Sequence, residues 1–196
     1  MSLILASSSP FRKAILDKLG LDFEVVAPEI NEDRRVNESP IDLVTRLSKE
    51  KAVAVAKSKT GLIIASDQVA TLDTGYKAND SILTKPGSHE NAFLQLKKSS
   101  GKTVNFLTGL VLMNTKNLNT QVHVEHFKVL FKTLSDNQIL EYLSKEDVLN
   151  CAGSFKSEGL GIALFTEMEG NDPNSLIGLP TIQLIDMLAK ENVHVL

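Results

Sequence analysis

Leu62-Ile63-Ile64-Ala65-Ser66-Asp67-Gln68-Val69 is an apolar run that climbs straight into an aspartate. With Gly61 before it, the run has the length and the continuous hydrophobicity of a strand buried on both faces. Such strands belong to α/β folds. Asp67 falls at what the pattern makes the C-terminal end of the strand, which is where open α/β sheets gather ligands and chemistry. An aspartate there also suits a plain turn or a helix cap. The flanking chain has to separate the two readings.

Upstream, Leu3-Ile4-Leu5-Ala6 is a second short buried strand. It feeds Ser7-Ser8-Ser9-Pro10, where Ser9 suits an N-cap and Pro10 the first helical position. Ile15, Leu16 and Leu19 continue as a helical stripe ending at Gly20. A strand, a serine-rich turn and a helix N-terminus together offer free N–H groups to an anion. Arg12 and Lys13 in the first turn oppose the helix dipole, and a bound phosphate accounts for both. Phe23 to Ala27 is a weak strand. A charged loop from Pro28 to Arg35 follows. Ser39-Pro40 opens a helix with Leu43, Val44, Leu47, Ala52, Val55 and Ala56 on its apolar side and Arg46, Lys49, Lys51 and Lys57 on the rest, which reads mostly as a solvated face.

Downstream, Val69 to Leu72 and Ile82-Leu83 pattern as the arms of a hairpin around Asp73-Thr74-Gly75. Its polar tip, Tyr76 to Asp80, is expected to be mobile. Lys85-Pro86-Gly87 breaks the chain, and Ser88 caps a helix. Thr103 to Met113 is a strand whose Gly109 marks a close backbone approach. Val122 to Phe131 alternates as a half-exposed antiparallel strand. Ser135 to Gln138 is a capping box. Cys151 to Gly159 is a glycine- and serine-rich loop, Gly161 to Phe165 a strand, Gly170 to Asn174 a tight polar loop, and Pro180 starts a last amphipathic helix.

The 196 residues fit one domain spanning 1–196. The apolar fraction is 42%, the charged fraction 23% and the net charge -3. There is therefore no basic field for nucleic acid. One cysteine, Cys151, excludes a disulfide scaffold and suits a reducing compartment. The start lacks the basic segment of a signal peptide, and no run is long enough to span a bilayer. A cytoplasmic protein that binds neither membrane nor nucleic acid is expected.

Walker, dinucleotide and nucleophile-elbow motifs are missing. The histidines are scattered, and Cys151 has no adjacent base. What remains is Glu32, Asp67 and Glu158 with Arg12, Lys13, Lys51 and Lys85, all at loop ends. Carboxylates hold a hard cation such as magnesium or manganese, and lysine and arginine hold phosphate oxygens. With a carboxylate base, these are the parts needed to hydrolyse a phosphoanhydride in a small nucleotide.

The opening Leu-Ile-Leu-Ala-Ser-Ser-Ser-Pro-Phe-Arg, the Glu32 loop, Glu50-Lys51-Ala52, Ser66-Asp67, Lys85-Pro86 and Cys-Ala-Gly-Ser-Phe-Lys-Ser-Glu-Gly together resemble the Maf family of nucleoside triphosphate pyrophosphatases. The resemblance runs nearly end to end. It implies an α/β fold related to inosine triphosphate pyrophosphatase: a long twisted mixed sheet in two lobes, flanked by helices, with the site in a central cleft. It implies cleavage between the α and β phosphates, a magnesium or manganese ion, a small-molecule nucleotide substrate and a homodimer. Asp67 matches the proton acceptor and, with Glu32, the metal position. Ser7, Arg12, Lys13, Lys51 and Lys85 match phosphate-binding positions, although Lys13 stands where many members have arginine. Phe11, Gln68 and Glu158 match the members that act on 7-methyl-GTP. Members acting on dTTP or UTP carry other residues there; a pyrophosphatase preferring dTTP, UTP or inosine-type nucleotides is the alternative within the class, and a non-catalytic nucleotide-binding regulator of septum formation the alternative from another class. The 7-methyl assignment has a physical basis: a methylated guanine is cationic and stacks well on an aromatic face, and a carboxylate accepts hydrogens from its Watson–Crick edge.

Overall fold

The computed structural model describes residues 1–196. Six strands form one mixed sheet in the order β2-β1-β3-β4-β5-β6, with β1 Leu3–Ala6, β2 Glu24–Val26, β3 Leu62–Thr71, β4 Thr103–Asn114, β5 Thr120–Phe131 and β6 Phe165–Glu169. The first three pair in parallel and the last three antiparallel, so β3 is parallel to β1 on one side and antiparallel to β4 on the other. The helices are α1 Pro10–Asp17, α2 Pro40–Ala56, α3 His89–Ser99, α4 Asp136–Lys145, α5 Pro173–Ile177 and α6 Thr181–Lys190. No helix is long and apolar enough to cross a membrane.

Period-two side-chain alternation gives each half of the long strands its own core. Near the start of β3, Leu62 and Ile64 pack with Leu110 and Leu112 under α1 and α6, while Ile63 and Ala65 face Ala52 and Val55 of α2. Farther along, Val104, Phe106, Phe127, Val129 and Phe131 form a second core with α3 and α4. There Phe155 sits edge-on to Phe106, Phe131 and Phe165 at centroid distances of 5.2, 5.7 and 4.9 Å. The two cores are the two lobes, and β3 and β4 contribute to both.

The serine caps form as the sequence implies. Ser9, Ser39, Ser88 and Ser135 each accept from a first-turn amide, and Ser135 with Gln138 completes the capping box. Gly109 is a close-approach site: a Cβ there would lie 2.6 Å from the Val44 carbonyl oxygen, so α2 rests directly on β4.

Four local expectations change. β3 does not end at Asp67 but continues four residues to Thr71, because β4 pairs with it over its whole length. It is β1 that stops, at Ala6 opposite Ala65, so Asp67 lies beyond the end of a neighbour and mid-way along its own strand. The expected hairpin reduces to one bridge, Ala70 to Leu83. Its connecting loop is organised around aspartates instead: Asp80 accepts from Thr74 Oγ1 and the amides of Gly75 and Lys77, and Asp73 accepts from Ser81. The tip is thereby tied down, and Asp80 is buried. The Gly161 to Phe165 segment is a 3₁₀ turn, Leu160–Leu164, and the strand begins only at Phe165. A five-residue apolar run cannot signal its own period. Finally, the loop at Gly170 to Asn174 starts a helix: Asp172 caps α5 and reaches Thr181 Oγ1 and the amide of Ile182 at the start of α6.

Candidate active site

The early end of β1 opens a notch on the edge of β3, and a cleft of about 1030 Å³ passes it between the lobes. Ser7, Phe11, Arg12, Glu32, Lys51, Asp67, Gln68, Lys85 and Glu158 all line this cleft. Lys13 does not. One position beyond Arg12 on α1, it points away to pair with Asp17 at 2.8 Å and lies over Phe23, so its phosphate role is withdrawn.

Asp67 and Gln68 are successive strand residues and leave the sheet on opposite faces. Asp67 faces α2. Lys51, from the fourth turn of that helix, is buried and donates to Asp67 Oδ1 at 2.5 Å and to Glu32 Oε1 at 2.7 Å. The solvated-face reading of α2 therefore fails for Lys51. It fails because α2 sits flat on Gly109, the register partner of Asp67, which brings the next turn against the carboxylate. Asp67 Oδ2 has no protein donor, and Asp67 lines the cleft. For Glu32, burial pushes the carboxyl pKa up. The hydrogen bond from Lys51 and the fields of Lys51, Lys85 and Arg12 outweigh that and hold it below the ordinary range.

Glu32 is carried on an exposed loop, yet the loop is braced. Arg46 of α2 grips Glu38 with two bonds at 2.6 and 2.9 Å, adds Glu50 at 2.9 Å, and donates to the Asp33 carbonyl at 2.9 Å. The Glu38 carboxyl is pulled down to about 2, first by the Arg46 hydrogen bond. Arg34 ties the same loop to the carbonyls of Glu38, Ala78 and Asp80. Neither arginine stood out in the sequence. Arg46 was indistinguishable from its lysine neighbours on a charged helix, and only a bidentate partner marks it.

Arg12 is fixed by a bond from Nε to the Gly178 carbonyl at 2.8 Å, and Ser66 Oγ donates to the same oxygen. Burial lowers the pKa of its guanidinium, and the fields of Asp67 and Glu32 oppose the shift. Lys85 is exposed and forms no ion pair. Its segment is held by Gln95, which donates to the Thr84 carbonyl and accepts from Ser154 of the Cys151 loop.

On the opposite face of β3, Gln68 Nε2 is engaged by Thr108 Oγ1 and the carbonyls of Ser175 and Leu176. Its amide group therefore anchors α5 to the sheet and leaves only Oε1 for a ligand. Phe11 is half-buried on the wall. Glu158 is exposed, with only a distant contact to Ser157. Lys156, which the motif contains but the sequence gives no role, also lines the cleft. Cys151 lies in the same wall. Burial pushes its thiol up to about 11, and Glu158, Asp147 and Glu146 add to that, so it is not a nucleophile near neutral pH.

Residues 2–191 match the family model described as Maf-like protein. The chain is 52% identical over 194 residues to a protein of Alcanivorax borkumensis named 7-methyl-GTP pyrophosphatase, covering 98% of this chain and 95% of that one. A protein of the same name from Pseudoalteromonas atlantica is 52% identical over 195 residues, covering 100% and 97%. Among solved structures, the Staphylococcus aureus Ham1 protein superposes with a TM-score of 0.54 at 12% identity, covering 98% of this chain and 100% of that one, which establishes the shared fold.

Proposed function

The chain belongs to the Maf family, and from that premise we propose that it hydrolyses the α–β phosphoanhydride of 7-methyl-GTP, giving 7-methyl-GMP and diphosphate. The observation that carries the proposal is the Asp67 carboxylate, set in the notch where β1 ends and surrounded by Lys51, Arg12, Glu32 and Lys85. Two negative and three positive side chains converge there. The cations bind phosphate oxygens and offset the charge that builds up on the leaving diphosphate. Lys51 holds Oδ1 of Asp67, which orients Oδ2 toward a water in the cleft. Asp67 accepts that water's proton as the oxygen attacks phosphorus.

A divalent metal fits the donor set. Glu32 and Asp67 are hard oxygen donors that already converge on one cation, the Lys51 ammonium. No group of three His, Cys, Asp or Glu side chains is present. Two carboxylates completed by waters and substrate phosphates are what magnesium typically takes. When bound, it polarises the phosphate oxygens. Magnesium and manganese are the ions we propose.

The base end is built on the other face of β3. Phe11 offers an aromatic face, and Glu158 an unpaired carboxylate for guanine N1 and the 2-amino group. Gln68 positions this wall through α5. The names of the relatives support the same substrate. Purified chain with magnesium or manganese should release diphosphate faster from 7-methyl-GTP than from GTP, dTTP, UTP or ITP. Equal rates across that panel would overturn the assignment of the base. Asp67→Asn should lower kcat by about a hundredfold or more, and full activity in that variant would overturn the catalytic assignment. Tight nucleotide binding without any turnover would favour a regulator instead.

A further inference from the structure

Between Thr71 and His89 the chain forms no helix and no strand, and its one bridge to the sheet is Ala70 to Leu83. Lys85 belongs to this segment. Its side chain is exposed, and it acts on Glu32 as a field, without an ion pair. The lysine is therefore placed by its backbone alone. That backbone is held on both sides, from α3 and from the loop before Cys151. Gln95 Nε2 donates to the Thr84 carbonyl at 3.0 Å, Asn91 Nδ2 to the Pro86 carbonyl at 3.0 Å, and the Gly87 amide to the Leu149 carbonyl at 3.1 Å. Gln95 differs from the other two because its amide group is itself fixed: Ser154 Oγ donates to Gln95 Oε1 at 2.7 Å. Ser154 is fully buried and stands in the left-handed region at φ 62. It is flanked by Gly153, where a Cβ would lie 3.3 Å from the Phe106 ring, and by Phe155 of the aromatic core. Ala92 and Leu96, on either side of Gln95 along α3, are fully buried as well.

We propose that Gln95 is a positioning residue for phosphate binding: the core holds Ser154, Ser154 holds the Gln95 amide group, and that group sets the carbonyl next to Lys85 and so presents the lysine to the cleft. The inference rests on the reading of Lys85 as a phosphate ligand. Gln95 is not part of the cleft wall, so it acts only through Lys85. A long side chain on an unsupported segment loses backbone as well as rotamer freedom when it engages a ligand, and a backbone fixed beforehand removes the first of these costs. An amide suits the task because it donates and accepts at once. A carboxylate in its place would keep the bond from Ser154 and lose the one to Thr84, and an apolar side chain would lose both.

The test is the Kd of inorganic diphosphate, measured by calorimetry in magnesium buffer, with the KM for 7-methyl-GTP beside it. Four proteins are compared: wild type, Gln95→Met, Lys85→Met and the double variant. Methionine keeps the length of glutamine and removes both of its bonds. Gln95→Met should raise Kd and KM about three- to tenfold and leave the kcat/KM ratio of 7-methyl-GTP to GTP unchanged. In the Lys85→Met background the same change should move Kd by less than about twofold, because the group it positions is gone. Ser154→Ala keeps the bond to Thr84 and should raise Kd about two- to threefold; an unmoved Kd there strikes Ser154 from the relay. A wild-type Kd in Lys85→Met overturns the phosphate reading of Lys85 and the role of Gln95 with it. A Kd raised by Lys85→Met but unmoved by Gln95→Met overturns the role of Gln95 alone. An equal loss from Gln95→Met in both backgrounds does the same, since it marks a general effect on the fold.

Discussion

Glu38→Gln isolates the brace under the Glu32 loop. In the wild type, Glu38 is gripped by Arg46 through two short bonds, with side chains only 8% and 13% exposed. The carboxyl is held at about 2 against an ordinary 4.5. Each pH unit of that depression is worth about 1.4 kcal/mol, which sets a ceiling of about 3.5 kcal/mol. Residual solvent contact and the hydrogen bonds a glutamine still makes bring the expected loss at pH 7 to about 2 kcal/mol. The sign follows from linkage. A carboxylate whose folded pKa is depressed stabilises the fold fully above its unfolded pKa, and that contribution disappears as pH falls through the folded value. The difference between wild type and Glu38→Gln should therefore be constant above about pH 6, shrink by more than half at pH 3 and nearly vanish at pH 2. Urea titrations of both proteins across that range measure it. The same substitution loosens the loop that carries Glu32, so kcat/KM for diphosphate release should fall roughly tenfold. A stability difference below about 0.5 kcal/mol at pH 7, or one that does not change with pH, would show that Arg46 does not hold Glu38 in this way, since the depressed pKa and the stabilisation are one quantity.

Gly109→Ala should cost about 1–3 kcal/mol in a urea melt and reduce diphosphate release, because its Cβ must push α2 and Lys51 away from Asp67; unchanged activity would show that the contact is slack. Cys151 should alkylate slowly with iodoacetamide at pH 8 despite lining the cleft, with the rate rising about tenfold per pH unit until near its value of about 11; rapid labelling at pH 8 would contradict the burial argument. Lys13→Ala should leave diphosphate release within about twofold of wild type and cost less than about 0.5 kcal/mol, as its partner Asp17 is solvated; a large rise in KM would restore a phosphate role to Lys13.

Much of the site was legible in order along the chain because its parts carry local signals. The serine turn before Pro10 caps α1, Ser39-Pro40 starts α2, and Gly109 marks where helix meets sheet. The brace of Arg34 and Arg46, the carbonyls of Ser175, Leu176 and Gly178 that hold Gln68, Ser66 and Arg12, and the capping carboxylate Asp172 were not legible. Each joins residues far apart in sequence, often through backbone oxygens that every residue possesses. No residue type announces such a role.

The sequence alone determined the alternation of strands and helices, the caps and the inventory of acids and cations, since these follow from periodicity and from groups within a few residues of one another. It also singled out Asp67. Only the tertiary structure decided why Asp67 is available: β1 stops at Ala6 while β3 continues to Thr71. That mismatch in strand length opens the sheet edge beside a carboxylate otherwise in mid-strand. It also divided the neighbours. Asp67 turns toward Lys51 and α2, and Gln68 toward α5, because successive strand residues leave opposite faces. Lys13 and Arg12, adjacent and alike in charge, were separated the same way, by the helix turn that points one into the cleft and the other into solvent.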